Sequence, residues 1–367
     1  MSDPHPVPPL FREDLDHVLA HTRDLWPEAR GQSFFITGGT GFFGMWLLET
    51  FVHANDSLGL GMRATVLTRH VAAFAQKAPH LARRHDLTFI EGDVRNFAFP
   101  PAFPSAASGP FPYIIHAATP ASAKLNTEAP GEMFDTIIAG TRRVLDLAAL
   151  PTTGTRKLLL TSSGAVYGRQ PPGLTHIPET YAGAPDSLDP ASAYGLGKLA
   201  AEHMCVVDAA RHGYEIKIAR CFAFVGPYLP LDAHFAIGNF IRDALAGGPI
   251  RITGDGTPYR SYLYAADLAI WLWTLLFRAP SARAYNVGSA EEISIARLVQ
   301  LVSAAFGLPV PPCIIQKADP ARYVPATARA ETELGLRPFI DLPQAISRVA
   351  DWYRLALSRP NLSCQSF

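Results

Sequence analysis

The sequence predicts an α/β protein built on a doubly wound parallel sheet, with a smaller α/β lobe toward its C-terminus. Three observations carry this reading. From residue 32 to about 225, short apolar runs alternate with longer helical patterns; the runs are apolar through their centres rather than at alternate positions; and three glycines, Gly38, Gly41 and Gly44, join the first run to the first long helix. Strands that are apolar on both faces need helices on both faces, which is the parallel arrangement.

Taken in order, residues 1–10 are proline-rich and read as loose, and apolar residues at Phe11, Leu15, Val18, Leu19 and Leu25 predict a short helix over 11–26. The strands expected next are SFFIT (33–37), ATVLT (64–68), LTFIEGD (87–93), YIIHAA (113–118) and KLLLTSS (157–163), with helices over 41–52, 71–78 and 130–150. The Pro/Gly/Thr/Asp-rich stretch 170–191 reads as a long surface loop, functional or disordered, followed by a helix over 192–211. EIKIARCFAFV (215–225) reads as one strand. Beyond it come a helix near 235–246, an extended PIRITG, a helix at 265–277 and a last helical group from Ile295. The expected organisation is an N-terminal extension (1–31), a dinucleotide-binding domain (32–225, returning near 283–290) and a mainly substrate-binding lobe (226–355).

Composition narrows the partners. Lys+Arg and Asp+Glu balance at 32 each, so no global field is available to hold a nucleic acid or an anionic membrane. Four scattered cysteines, Cys205, Cys221, Cys313 and Cys364, show no metal spacing and read as reduced thiols, so no metal is expected. The acidic N-terminus lacks the pattern of a secretory signal. LYAADLAIWLWTLLF carries Asp267 and is too short to cross a bilayer. A cytoplasmic protein is the expectation.

A strand, then G-x-x-G-x-x-G, then a helix is what a pyrophosphate site needs. The first glycine allows the tight turn, the second lets phosphate approach the backbone, and the third lets helix and strand pack. Phe42 and Phe43 open the helix whose N-terminal N–H groups would meet the anion. After the second strand the chain reads Thr68-Arg69-His70, with no acid to bond a ribose hydroxyl; this leans to NADP or a relaxed NAD site, or else Arg69 is a plain surface residue. Asp93 could accept a bond from an adenine amino group, or simply turn the chain.

SAYGLGKLAAE puts Tyr194 and Lys198 at i and i+4 on one helix face. A neighbouring ammonium is expected to lower the phenol toward working pH, so that it can move the proton of a carbinol while hydride passes to or from nicotinamide. TSSGAVYG supplies a further hydroxyl from Thr161, Ser162 or Ser163.

In this order TGGTGFFG, EGDV, HAATPAS, TSSGAVYG, YGLGK, RCFAFVGP, GDGTPYRSYLYAADLA and YNVGS resemble the extended short-chain dehydrogenase/reductase family, the NAD(P)-dependent nucleotide-sugar epimerases, dehydratases and reductases. The resemblance spans residues 33–342 and implies a Rossmann-type sheet. It further implies that Gly38, Gly41 and Gly44 hold the pyrophosphate, that Asp93 and Val94 border adenine, and that Ala117, Ala118 and Thr119 line the cofactor. Ser163 would be the hydroxyl partner, Tyr194 the acid/base, and Lys198 the ribose ligand. Arg260, with Asn239 nearby, would bind the diphosphate of a nucleotide-sugar substrate, and a homodimer would be common.

Two departures matter. The family's 4,6-dehydratases carry an acidic pair where this chain has Gly164 and Ala165, so dehydration is disfavoured. HAATPAS is similar to the UDP-glucuronate decarboxylases, but decarboxylation relies on a glutamate at the position of Ala165. Ala223 stands where the family usually has Asn, which puts the usual diphosphate contacts in question. The expected function is a nucleotide-sugar epimerase acting through a transient keto-sugar; a keto-sugar reductase or dehydrogenase and a non-catalytic dinucleotide-binding protein are the alternatives.

Overall fold

The computed structural model describes residues 6–99, 109–119, 123–233, 235–252, 254–312 and 320–358. Residues 120–122 of HAATPAS, Thr253 of PIRITG, Cys313, Cys364 and residues 1–5 lie outside them.

The large sheet uses β1 (Ser33–Thr37), β2 (Arg63–Thr68), β3 (Leu87–Glu91), β4 (Tyr113–His116), β5 (Lys157–Ser163), β6 (Glu215–Cys221) and, after two short pairs, β10 (Arg283–Val287). Their spatial order is β10-β6-β5-β4-β1-β2-β3, with every neighbouring pair parallel. The order reverses between β1 and β4, so a crevice opens beyond their carboxyl ends. Alternate residues feed two cores: Phe34, Ile36 and Leu159 point to one face, Phe35, Leu158 and Leu160 to the other. This is why the strands lack a period-two pattern.

The helices run α1 (Arg12–Thr22), α2 (Phe42–Leu58), α3 (Val71–Lys77), α4 (Pro79–Ala82), α5 (Ala123–Glu128), α6 (Pro130–Ala148), α7 (Ala193–His212), α8 (Ala236–Leu245), α9 (Ala265–Arg278), α10 (Ile295–Phe306), α11 (Ala328–Leu334) and α12 (Leu342–Ser358). Helices α6 and α7 cover one face through Met133, Ile137, Val144, Ala201 and Cys205. On the opposite face, α2 and α9 bring Trp46, Phe51, Trp271 and Trp273. Helix α9 carries the apolar LYAADLAIWLWTLLF stretch from its third residue on; its Asp267 is fully buried and accepts the Phe339 and Ile340 N–H groups at 2.9 and 3.1 Å. No helix of the described residues is long and apolar enough to cross a membrane.

The N-terminal extension is packed into the body. Asp14 of α1 is buried, accepts the Tyr264 hydroxyl at 2.7 Å and pairs with Arg348 of α12, while Trp26 packs on Trp273 with ring centroids 4.7 Å apart.

Two expectations, the single 215–225 strand and the free loop, need correction, and the extended PIRITG is sharpened. The 215–225 run is two strands, because after Cys221 the chain leaves the large sheet and β7 (Phe224–Val225) pairs with β9 (Leu263–Tyr264). Among its described residues PIRITG forms no strand. The loop 170–191 is anchored rather than free: Gln170 Nε2 donates to the Leu174 and Thr175 carbonyls, and Ile177 exchanges backbone bonds with Val324 and Ala326. Those partners flank β12 (Arg322–Tyr323), which lies beside β8 (Tyr259–Arg260) in a small sheet completed by β11 (Ile293–Ser294).

Candidate active site

A cleft of about 610 Å³ lies beyond the carboxyl ends of β1, β4 and β5, and it gathers Gly38, Gly41, Thr119, Ser163, Tyr194 and Lys198 on its walls. Gly38 has φ +74°, and a Cβ there would come within 2.5 Å of the Ala117 backbone; one on Gly44 would meet Gly38 and Gly39 at 2.3 Å. Packing therefore demands these two glycines. Gly41 is different, since a Cβ there would touch only the Gly38 oxygen, at 3.5 Å. Nothing inside the protein requires it, and a side chain would fill the cradle in front of α2. That helix starts with no side-chain cap and no acid in its first turn, so its free N–H groups and positive dipole end are left for an anion. Phe42 and Phe43 line the cleft, and Phe43 meets Phe224 edge-on at 5.0 Å. These features fit a dinucleotide pyrophosphate.

Beyond β2, Arg69 is exposed. Sequence reasoning missed a second cation: Lys77 of α3 donates to the Thr40 carbonyl in the glycine loop at 3.3 Å, and burial lowers its pKa. Its only sequence signal is a lone lysine one helix after β2. The extension fixes it, because Val7 N donates to the Lys77 carbonyl at 2.8 Å. The nearby acids are engaged. Glu91 accepts the Val71 N–H at 3.3 Å, and both Asp93 oxygens are held by Arg95 at 2.8 Å, which lowers the Asp93 carboxyl below its ordinary range. Val94 packs against Gly140 of α6.

Asn126, also unanticipated, fixes the start of α7: its Oδ1 accepts the Tyr194 N–H at 3.0 Å and its Nδ2 donates to the Ala191 carbonyl at 2.8 Å. Lys198 Nζ donates to Thr119 Oγ1 at 2.6 Å and to the Thr161 carbonyl at 2.8 Å. The lowered phenol expected at Tyr194 is not found. Burial pushes Tyr194 up to about 12, with the Ser163 hydroxyl pulling the other way, because the Lys198 ammonium is directed at Thr119 and Thr161. Burial also brings Lys198 down to about 8. Below these groups His116, held neutral by burial at about 3, bonds Thr37 at 2.8 Å, and the Ala118 N–H reaches the same threonine at 3.2 Å.

The strand and helix that carry the cluster are braced from behind. Ser162 donates to Glu202 at 2.5 Å, and Glu202 takes the Arg220 guanidinium at 2.7–3.2 Å. Arg220 also reaches Tyr167 at 2.9 Å, whose hydroxyl donates to Asn286.

The rest of the cleft wall is apolar, made largely of Ala165, Phe222, Ala223, Phe224, Leu229 and Pro230. Neither Asn239 nor Arg260 lies on it. Asn239 Oδ1 accepts from Arg242 at 3.1 Å. Arg260 is half-buried on β8, donates to the Tyr259 carbonyl at 2.8 Å and has no carboxylate partner among the described residues.

Sheet order, switch point and glycine loop define a Rossmann-type α/β protein. Residues 34–288 match the model of the NAD dependent epimerase/dehydratase family, and this chain belongs to that family. Among its relatives, UDP-glucuronic acid decarboxylase 1 of Xenopus tropicalis is 29% identical over 88% of this chain and 72% of its own. The dTDP-glucose 4,6-dehydratase of Streptomyces antibioticus is 24% identical over 88% and 92%. The fold is also similar to that of Thermus thermophilus UDP-glucose 4-epimerase in complex with NAD, with TM-score 0.69, 24% identity, and coverage of 88% of this chain and 99% of that one.

Proposed function

We propose that the chain is an NAD(P)-dependent nucleotide-sugar epimerase that passes through a transient keto-sugar. The observation that carries this is the wall opposite Tyr194. It keeps the Ser163, Tyr194 and Lys198 set but has Ala165 on the cleft, and Gly164 beneath Phe222, at the two positions where dehydration or decarboxylation would need an acid. A wall with few polar anchors also leaves a sugar ring free to present either face while its diphosphate is held elsewhere, by the uncommitted Arg260.

Gly38, Gly41 and the N-terminus of α2 would hold the dinucleotide, which would supply a reversible hydride acceptor for the sugar carbon. Tyr194 takes the hydroxyl proton of that carbon and gives it back on re-reduction, with Ser163 orienting the same oxygen. Lys198 holds the ribose and contributes its positive charge when Tyr194 ionises.

A second reading, a keto-sugar reductase using NADPH, draws support from Arg69, just after β2, and Lys77, at the end of α3, two cations that form no salt bridge among the described residues. One experiment separates the two. The purified protein is denatured and its released nucleotide assayed, then the native enzyme is given UDP-, dTDP-, GDP- and CDP-sugars while nicotinamide absorbance is followed. Retained cofactor, an isomerised sugar and no net absorbance change are expected; stoichiometric NADPH consumption would replace the epimerase with the reductase.

A further inference from the structure

The active-site cleft contains a second phenol, that of Tyr323 on β12, which the reading above does not use. Its position is set by three packed layers. Phe222 covers Gly164, so closely that a Cβ on that glycine would lie 2.6 Å from the ring. Tyr323 in turn packs on Phe222, with ring centroids 4.7 Å apart and planes at 34°. The strand beneath is clamped on both sides: Tyr323 is paired with Arg260 of β8, and the next residue, Val324, donates to Gln170 Oε1 at 3.0 Å and accepts the Ile177 N–H at 2.9 Å. The ring thus reaches the cleft from β12 while Tyr194 reaches it from α7, and both phenols stand on the cleft wall together with Ser163.

A serine hydroxyl has one proton to give and two lone pairs to fill. One lone pair of Ser163 is already taken, by the Ala165 N–H at 3.1 Å. We infer that Tyr323 is a positioning residue whose phenol donates to the other lone pair, leaving the serine proton to be directed at Tyr194 and the substrate oxygen it serves. This rests on the reading of Tyr194 as the acid/base. Each bond in the chain from Tyr323 through Ser163 to Tyr194 polarises the next, and its end is the oxygen that must carry negative charge. A phenol provides this at no electrostatic cost, whereas a carboxylate beside Ser163 would oppose ionisation of Tyr194.

The other titratable groups around the cluster do not supply this ordering. The Cys221 thiol of β6 is pushed up to about 12 by burial and stays neutral. Lys198 of α7 is bonded to Thr119 and Thr161, and Glu202, further along α7, is paired with Arg220. His116 of β4 is neutral. Arg260 of β8 favours ionisation of Tyr323 but is not among the groups that act on Tyr194.

The test needs no substrate. The full chain is made with 3,5-difluorotyrosine at position 194, which brings that phenol's titration down to pH values where the fold survives, and its ionisation is followed by fluorine NMR. Tyr323→Phe keeps the ring on Phe222 and removes only the hydroxyl. It should raise the titration midpoint by about one unit, a tenfold change in the equilibrium. Ser163→Ala should raise it by at least as much, and the double variant no further than Ser163→Ala alone. An unchanged midpoint in Tyr323→Phe, or shifts that add in the double variant, would overturn the proposal. Turnover of Tyr194→Phe on the nucleotide-sugar panel separately tests the acid/base reading on which it rests.

Discussion

The ring of Phe222 occupies the space that a side chain at position 164 would need, 2.6 Å from where the Cβ of that residue would lie. The absence of an acid there is therefore built into the packing and is not a matter of one codon. Gly164→Asp should destabilise the protein by about 1–3 kcal/mol, the usual cost of overpacking, and adding Phe222→Leu should recover part of it. Urea unfolding of both variants measures this; a Gly164→Asp protein as stable as wild type would show that the ring moves aside freely.

Tyr194→Phe should lower turnover by at least about a hundredfold, the typical share of general acid–base catalysis, and leave NAD(P)H affinity unchanged by fluorescence titration. Full activity in this variant would remove Tyr194 from the chemistry.

Arg69 and Lys77 together should discriminate for a 2′-phosphate. A charge-assisted hydrogen bond to such a group is worth about 1.5–3 kcal/mol, so Arg69→Asp with Lys77→Ala should weaken NADPH binding by about tenfold or more. NADH binding should hardly change. Equal losses for the two cofactors would return both residues to general roles.

Lys198 makes the ligand-free protein sensitive to alkaline pH in a particular direction. The folded state releases its proton from about 8, while the unfolded chain keeps it to about 10.5. Between these values the unfolded state binds more protons, so stability rises with pH. The penalty from Lys198 is full below about 8 and fades toward 10.5. Wild type should thus gain stability relative to Lys198→Met across that window, as measured by urea unfolding at each pH. A constant difference would contradict the depressed lysine.

Much of the site could be read from local pattern. The glycine spacing is dictated by backbone geometry that repeats wherever a strand turns into a helix beneath a phosphate, and Tyr194 and Lys198 share a face because a helix has 3.6 residues per turn. What escaped were residues whose meaning depends on distant partners. Lys77 acquires its place from the Thr40 carbonyl and from Val7, and Asn126 matters because α7 begins against it. The break after Cys221 was hidden since an apolar run reads alike whether it stays in one sheet or moves to another.

By itself, then, the amino-acid order determined the alternating strands and helices, the anion-shaped loop, the Tyr-Lys pair and the lack of acids at 164 and 165. Each of these is set by neighbours a few positions away. Only the tertiary structure decided that Lys198 bonds to Thr119 and Thr161 while Tyr194 stays high, and that Phe222 and Tyr323 close over Gly164. Burial and long-range contact set those properties, and neither is written in any short stretch of the chain.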